Sequence, residues 1–244
     1  MVFDPGSPYE DEQDALAQFV KGLVDEGRRV KAIVLTHLHP DHVAGVNPLI
    51  TRLGGGVTVA AHRETADALN DINVTQFIED GETLSLAGDP SINLQALHTP
   101  GHARGHLCFH DHDRGILLTG DNIVGLGSVL IDPPEGNMKR YFDSLERMRS
   151  LDGLKVLFGG HGPPVANAYA KIDEYINHRL EREKNILAAI RAGATTPQEV
   201  VARVYTDVSP KAHALAERAV MAHVDKLVAE DLVRRVDKDQ FRSA

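Results

Sequence analysis

The spacing of apolar residues along the first third of the chain alternates between two patterns. From Asp11 to Glu26 the apolar positions recur at helical spacing, and Gly27 ends the pattern. Short apolar runs at Lys31–Thr36 and Val57–Ala60 are typical of buried strands. Val2 and Phe3 resemble the end of a strand that runs into an Asp-Pro-Gly turn. This part of the chain therefore predicts strands that alternate with helices.

The middle of the chain predicts strands in close succession, because apolar runs of four to six residues are separated by glycine, proline and aspartate. A helical pattern and a further strand follow. The expected elements are strands at Thr83–Leu86, Ile92–Leu97, His106–Phe109 and Gly115–Leu118, a helix at Asn137–Ser150 and a strand at Lys155–Phe158.

The last third predicts a separate helical module. A long helix over Tyr169–Ala192 is followed by a capping box, Thr196-Pro197-Gln198-Glu199, and by a helix over Ala212–Glu230. Leu232–Val236 and the short polar tail then predict a terminal strand pair. We expect a catalytic domain over residues 1–171 and a small winged-helix-like domain over residues 172–244.

Charge and composition limit the classes of partner that the protein can be expected to bind. The 244 residues carry 26 basic and 35 acidic side chains, a net charge of −9, which gives no long-range attraction to nucleic acid. From Thr195 onward the two signs balance at eight each, so we expect no duplex-DNA binding and interpret the module as a lid or packing domain. The absence of an apolar run near ~20 residues, of an export signal and of any cysteine besides Cys108 predicts a cytoplasmic protein without membrane contact.

Histidines are unusually frequent, at thirteen, and several of them cluster. The strand at Lys31–Thr36 runs directly into His37-x-His39-x-Asp41-His42, where extended backbone places His37 and His39 on the same side. Imidazoles combined with one carboxylate suit Zn²⁺.

Three more candidate ligands also stand where predicted strands end, beside glycines that permit tight turns: His102, Asp121 and His161. Since sites of open sheets collect at strand ends, these junctions can converge. Five histidines and two aspartates are enough for two metal ions that share a carboxylate. His106 lies four residues after His102, and we leave open whether it supports the site or only packs in the core.

The seven residues, in this order and spacing, resemble the metallo-β-lactamase superfamily. Gly160-His161-Gly162-Pro163-Pro164, followed by residues 171–179 and by Arg182-Glu183, resembles its β-lactamase-like protein 2 group, which carries a winged-helix-like domain. The resemblance implies an α/β fold, an αββα sandwich. It assigns His37, His39 and His102 to one metal, Asp41, His42 and His161 to a second, and Asp121 to the bridge.

The resemblance further implies a hydrolase with two Zn²⁺ ions, or Mn²⁺ or Fe²⁺ instead, that uses a metal-bridging hydroxide. Asp121 would set the metal separation and Asp41 would orient the nucleophile. Members of the group are reported as nucleases on single-stranded RNA, and Lys139-Arg140 beside Tyr141 is the best candidate for a basic RNA-binding lip. The alternatives are an esterase, a glyoxalase II-like thioesterase, a lactonase or a weak β-lactamase on a small-molecule ester. An alternative outside the hydrolases is a persulfide dioxygenase, which uses one iron.

One departure from the family concerns the amino terminus, where a few strands usually precede the Asp-Pro-Gly turn that begins here at Asp4. An uncovered sheet edge tends to pair with another chain, so we expect a homo-oligomer. We also expect Asp4 to support His37 and His39 through hydrogen bonds from behind the metal loop.

Overall fold

The structure, a computed structural model, describes residues 1–206 and 208–244. Its strands and helices in chain order are β1 (Val2–Phe3), α1 (Glu10–Asp25), β2 (Ile33–Val34), α2 (Pro40–Val43), α3 (Val46–Arg52), β3 (Val59–Ala61), α4 (Arg63–Ala68), β4 (Gln76–Phe77), β5 (Thr83–Leu86), β6 (Ile92–His98), β7 (Leu107–Asp111), β8 (Ile116–Gly120), α5 (Met138–Arg149), β9 (Val156–Gly159), α6 (Ala168–Arg191), α7 (Pro197–Val204), α8 (His213–Ala229), β10 (Val233–Asp237) and β11 (Gln240–Ser243). A short 3₁₀ turn, Pro210–Ala212, precedes α8.

Two sheets pack face to face in the first 160 residues. The first contains β1-β2-β3-β4, all parallel, and the second contains β5-β6-β7-β8-β9, antiparallel except for the parallel pair β8 and β9. Side chains alternate along each strand, so in β2 Val34 packs between the sheets against Phe109 while Ile33 packs outward against α1 and α3. Helices α5 and α6 cover the outer face of the second sheet. The layers are therefore αββα, which confirms the predicted fold.

Most predicted elements lie within two residues of the observed ones, but β4 is not predicted. Gln76 and Phe77 are both exposed and form only a two-residue strand, so they carry no alternating pattern. On the opposite edge, β1 pairs only with β2 among the described strands. No helix in the described part of the chain combines the length and the apolar character that crossing a membrane requires.

The carboxy-terminal module consists of α7, α8 and the antiparallel hairpin β10–β11, and α6 connects it to the sheets. Thr196 caps α7 as predicted, by accepting from the Glu199 N–H at 3.3 Å, whereas the Glu199 carboxylate accepts from the Thr195 N–H at 2.6 Å. Asp207, one of the eight acidic residues counted in this module, lies outside the described residues.

The expected domain boundary at residue 172 falls inside α6, which is one continuous helix. Ile172 and Tyr175, near the start of α6, belong to the core over the second sheet, and Ile186 and Ile190, near its end, belong to the core of the carboxy-terminal module. Both domains thus share this helix, and the boundary itself stays a prediction.

Candidate metal centre

Ends of four strands bring the candidate ligands together. Because β7 runs antiparallel to both β6 and β8, and β9 runs parallel to β8, the strands β6, β8 and β9 end at one edge of the second sheet. The end of β2 joins that edge, since the Leu107 N–H donates to the Thr36 carbonyl at 2.8 Å. The seven candidate ligands follow these strand ends, namely His37, His39, Asp41, His42, His102, Asp121 and His161.

The first group of ligands consists of three histidines. Nδ1 of His39 lies 3.0 Å from Nε2 of His37 and 2.9 Å from Nε2 of His102. These three nitrogens face one another and could hold one metal ion.

The second group lies beside the first. Nε2 of His161 is 3.1 Å from Asp41 Oδ2 and 3.4 Å from Asp121 Oδ2, and Nε2 of His42 is 3.3 Å from Asp121 Oδ1. Asp121 Oδ2 is also 3.8 Å from His102 Nε2. Asp121 therefore stands between the two groups, where a bridging carboxylate would be placed.

Hydrogen bonds outside the cluster fix the ring tautomers of two histidines. The Thr36 hydroxyl donates to Asp4 Oδ2 at 2.6 Å, so it accepts from His37 Nδ1 at 2.9 Å. Nδ1 of His102 lies 3.0 Å from the Leu130 carbonyl, which can only accept. In both neutral rings Nε2 consequently carries a lone pair that faces the cluster.

Burial keeps these rings neutral. It lowers the pKa of His102 to about 4 and, with the charges of the neighbouring histidines, holds the pKa of His37 well below its usual 6.5. Neutral imidazoles are the form that binds metal, so His37 and His102 need not lose a proton before they bind it.

The surroundings of His42 are the most direct evidence that a cation fits between His42 and Asp121. Its Nδ1 lies 2.8 Å from Asp4 Oδ2 and donates to it, so in the neutral ring the Nε2 lone pair faces Asp121 Oδ1. Both of those atoms are buried without a hydrogen-bond partner. Two opposed acceptors require a positive charge between them. Without a metal that charge is a proton: burial opposes it, but the hydrogen bonds and charges of Asp121 and Asp4 raise the pKa of His42 to about 10.

Asp4 holds the second group in place from behind. It accepts from the Thr36 N–H at 2.7 Å, from the Thr36 hydroxyl and from His42 Nδ1. The expected support of His39 is not observed: Asp4 reaches His42 directly and His37 through Thr36. The difference arises because α2 turns His42 back toward the turn after β1.

His106 supports the site rather than only packing in the core. Its buried Nε2 accepts from the Asp121 N–H at 3.2 Å, while Nδ1 lies 3.1 Å from Thr99 Oγ1. The close approach requires glycine at position 120, where φ is +47° and a Cβ would lie 2.7 Å from His106 Nε2.

Tyr141 stands beside the expected basic lip of Lys139 and Arg140, and its ring is completely buried. Its hydroxyl donates to the Asn122 carbonyl at 2.6 Å, next to Asp121. Neighbouring Lys139 and Arg140 line a separate cleft against α8, and Lys139 pairs with Asp143 at 3.0 Å. The expected lip therefore does not border the candidate metal centre.

A cleft of about 450 Å³ opens over the ligands. Asp41 and His161 are half exposed at its floor. One wall is apolar and comes from the segment between β8 and α5, where Leu126 is 74% exposed. Asp132 and Glu135 stand on the rim.

Comparison with known proteins identifies the family. Residues 1–161 match the metallo-beta-lactamase superfamily and residues 196–242 match the beta-lactamase associated winged helix domain. The chain belongs to the metallo-beta-lactamase superfamily, and it is a metal-dependent hydrolase of that superfamily. The resemblance seen in the sequence is thereby confirmed.

Two individual proteins are similar to this chain in sequence. The chain is 27% identical over 244 residues to the "Beta-lactamase-like protein 2 homolog" of Caenorhabditis elegans, covering 99% of this chain and 79% of that protein. It is 32% identical over 212 residues to the "Atrochrysone carboxyl ACP thioesterase" of Aspergillus chevalieri, covering 82% of this chain. The chain spans only 63% of that fungal protein's length.

Solved structures agree on the fold. A beta-lactamase domain protein from Burkholderia ambifaria superposes with a TM-score of 0.83 at 19% identity, over 99% of this chain and 81% of the other. A metallo-beta-lactamase family protein from Thermus thermophilus gives 0.76 at 24% identity, over 97% and 87%. The protein TTHA1623, solved in a di-iron-bound form, gives 0.51 at 31% identity, over 68% and 83%.

Proposed function

We propose that the protein hydrolyses acyl esters, thioesters foremost, at a site that holds two divalent ions. Zn²⁺ suits the donor set of five imidazoles and two carboxylates, with Mn²⁺ and Fe²⁺ as alternatives. The observation that carries the proposal is the cleft, in which half-exposed ligands on the floor meet an apolar wall. The fungal relative named as an acyl-carrier thioesterase supports the same substrate class.

Each group of ligands has a defined task in this proposal. Three histidines would hold one ion, and Asp41, His42 and His161 the other, with Asp121 setting their separation. Two such ions, when bound, supply Lewis acidity and make hydroxide available near neutral pH. The Asp41 carboxylate is 58% exposed on the cleft floor, so it can accept a proton from an incoming water and orient it.

The apolar wall would bind the acyl chain. Leu126 exposes most of its side chain to the cleft, and an acyl chain laid against it removes apolar surface of both from water. Each buried methylene contributes about 0.8 kcal/mol, which corresponds to roughly fourfold in kcat/KM. Longer acyl groups should therefore be preferred until the wall is covered.

Single-stranded RNA, the substrate that the resemblance implies, is the second candidate, and the similarity to the nematode β-lactamase-like protein 2 homolog favours it. Binding of phosphates needs cationic side chains, yet the described residues that line the cleft include Asp132 and Glu135 and no lysine or arginine. The persulfide dioxygenase alternative uses one iron, whereas this chain has a second group of side chains that could hold an ion.

A substrate panel tests the proposal. The zinc-loaded protein is assayed with acetyl, butanoyl, hexanoyl and octanoyl thioesters, a p-nitrophenyl ester, a lactone, a β-lactam and a single-stranded RNA. We expect thioester kcat/KM to rise with chain length, and Leu126→Ser to remove that rise. Leu180→Ser, at an exposed position on α6 outside the cleft, is the matched control. RNA cleavage without acyl hydrolysis would contradict the proposal.

A further inference from the structure

The segment that forms the apolar wall has no regular structure of its own. Between β8 and α5, residues 122–136 contain neither helix nor strand, although they line the cleft. A wall of irregular backbone keeps its shape only if its polar groups are bound elsewhere. The shared helix α6 supplies several of those bonds, and α8 of the winged-helix domain adds an ion pair at Asp132. Other bonds come from residues near the strand ends, including His102, Arg104 and His161.

Two residues of α6 hold the first half of the segment. The Tyr175 hydroxyl accepts from the Val124 N–H at 3.1 Å and lies 2.9 Å from the Gly127 carbonyl. Arg179 donates from Nη2 to the Val129 carbonyl. Arg179 is only 5% exposed, so its charge is confined to the space beneath the wall.

One residue of α8 contacts the second half, which Arg104 also holds through the Pro134 carbonyl at 3.0 Å. Arg218 faces Asp132 in a bidentate arrangement, with Nε 2.7 Å from Oδ1 and Nη2 against Oδ2. Asp132 stands on the cleft rim, and its own carbonyl accepts from the Gly136 N–H at 2.7 Å. A planar guanidinium fixes the direction of a carboxylate as well as its position.

Helices α6 and α8 are themselves joined by a buried polar group. The Glu183 carboxylate accepts from Nζ of Lys226 at 2.6 Å and lies 3.0 Å from Nδ1 of His223. His223 is completely buried. Arg179 and Glu183 both belong to the motif after Gly160–Pro164 that the metal site leaves without a role. This buried contact therefore links the two helices that carry Arg179 and Arg218.

We propose that Arg179 and Arg218 are positioning residues that set the shape of the apolar wall and thereby the preference for acyl chain length. The winged-helix domain then acts as a specificity element of the hydrolase, which agrees with its balanced charge. The choice of acyl substrates rests on the proposed function, whereas the positioning of the wall does not.

Arg218→Gln is the variant of choice, since Arg218 is half exposed and its loss leaves the core intact. The matched control is Arg203→Gln, because Arg203 donates to the Ala189 and Ala192 carbonyls within the winged-helix domain. Hydrogen exchange should become faster at backbone amides of residues 124–136 in Arg218→Gln and not in the control. The octanoyl-to-acetyl ratio of kcat/KM should fall about three- to tenfold in the same variant.

A double-mutant cycle separates positioning from general stability. If Arg218 acts through Asp132, the double variant Arg218→Gln with Asp132→Asn should shift the ratio no further than either single variant. Additive shifts, or unchanged exchange of residues 124–136 in Arg218→Gln, would overturn the inference. A wild-type protein that hydrolyses no acyl substrate would refute the proposed function alone, since the exchange measurement still tests the positioning of the wall.

Discussion

Replacing Asp4 by asparagine should weaken metal binding while preserving the shape of the site. Asparagine is isosteric with aspartate and tolerates the positive φ of 42° at this position. The asparagine side-chain oxygen must accept from the Thr36 N–H. If the amide were flipped, its NH₂ group would face that N–H, and two donors would oppose each other. The amide NH₂ then faces His42 Nδ1, which also needs to donate if Nε2 is to bind a metal.

The magnitude follows from that opposition. The Thr36 hydroxyl loses its acceptor in the variant. For metal to bind, the His42 Nδ1–H must also go without an acceptor, at a cost of about 1–3 kcal/mol. This corresponds to roughly 5- to 150-fold weaker affinity for the ion held by His42. In the alternative tautomer of His42, Nδ1 accepts from the asparagine NH₂ group. That tautomer carries its proton on Nε2, which excludes the metal from that nitrogen.

Competitive titration of the metal-free protein with Zn²⁺ against a fluorescent chelator measures both dissociation constants. We expect at least one of the two constants to increase in Asp4→Asn. Both should stay at the wild-type values in Asp14→Asn, whose carboxylate pairs with Arg52 at the surface. Two affinities within about twofold of wild type in Asp4→Asn would refute the hydrogen-bond reasoning, since the tautomer would then not matter.

Three further predictions concern stability and assembly. Although burial opposes ionisation, hydrogen bonds from His223 and Lys226 lower the pKa of Glu183, so its stabilisation is complete above the ordinary value of 4.5 and disappears as the pH falls through the folded-state pKa. Glu183→Gln should thus cost roughly 3 kcal/mol in urea unfolding at pH 7 and less at pH 3, and an equal cost at both would contradict this. Tyr141→Phe should cost about 1–3 kcal/mol in the same assay because the buried Asn122 carbonyl loses its donor, and no loss would contradict it. Among the described strands β1 pairs only with β2, and this free edge predicts a homo-oligomer by light scattering at low micromolar concentration, which a clean monomer would refute.

Local patterns in the sequence predicted much of the fold and all seven candidate ligands. Strands and helices followed from apolar spacing, and the ligands stood out because imidazoles and carboxylates directly follow strands. The short exposed strand β4 lacks such a pattern. The continuity of α6 across the expected boundary also has no local signal, since each half of the helix packs in a different core.

The contacts that support the ligands could not be predicted in the same way. Asp4 and His42 are 38 positions apart, and Tyr141 and Asn122 are 19 apart, so their pairing depends on how the layers pack. Tyr141 follows the two basic residues of the expected lip, but helical geometry turns its ring into the core. The sequence thus identifies the side chains that could bind metal, and the packing determines which atom of each side chain faces the site.

Metal stoichiometry tests the central claim most directly. Inductively coupled plasma mass spectrometry on the protein dialysed against Zn²⁺ should give two ions per chain. Asp121→Ala, which removes the carboxylate between the two groups, should lower that number together with turnover. One ion per chain in the wild type, or two ions with full turnover in Asp121→Ala, would contradict a dinuclear site bridged by Asp121.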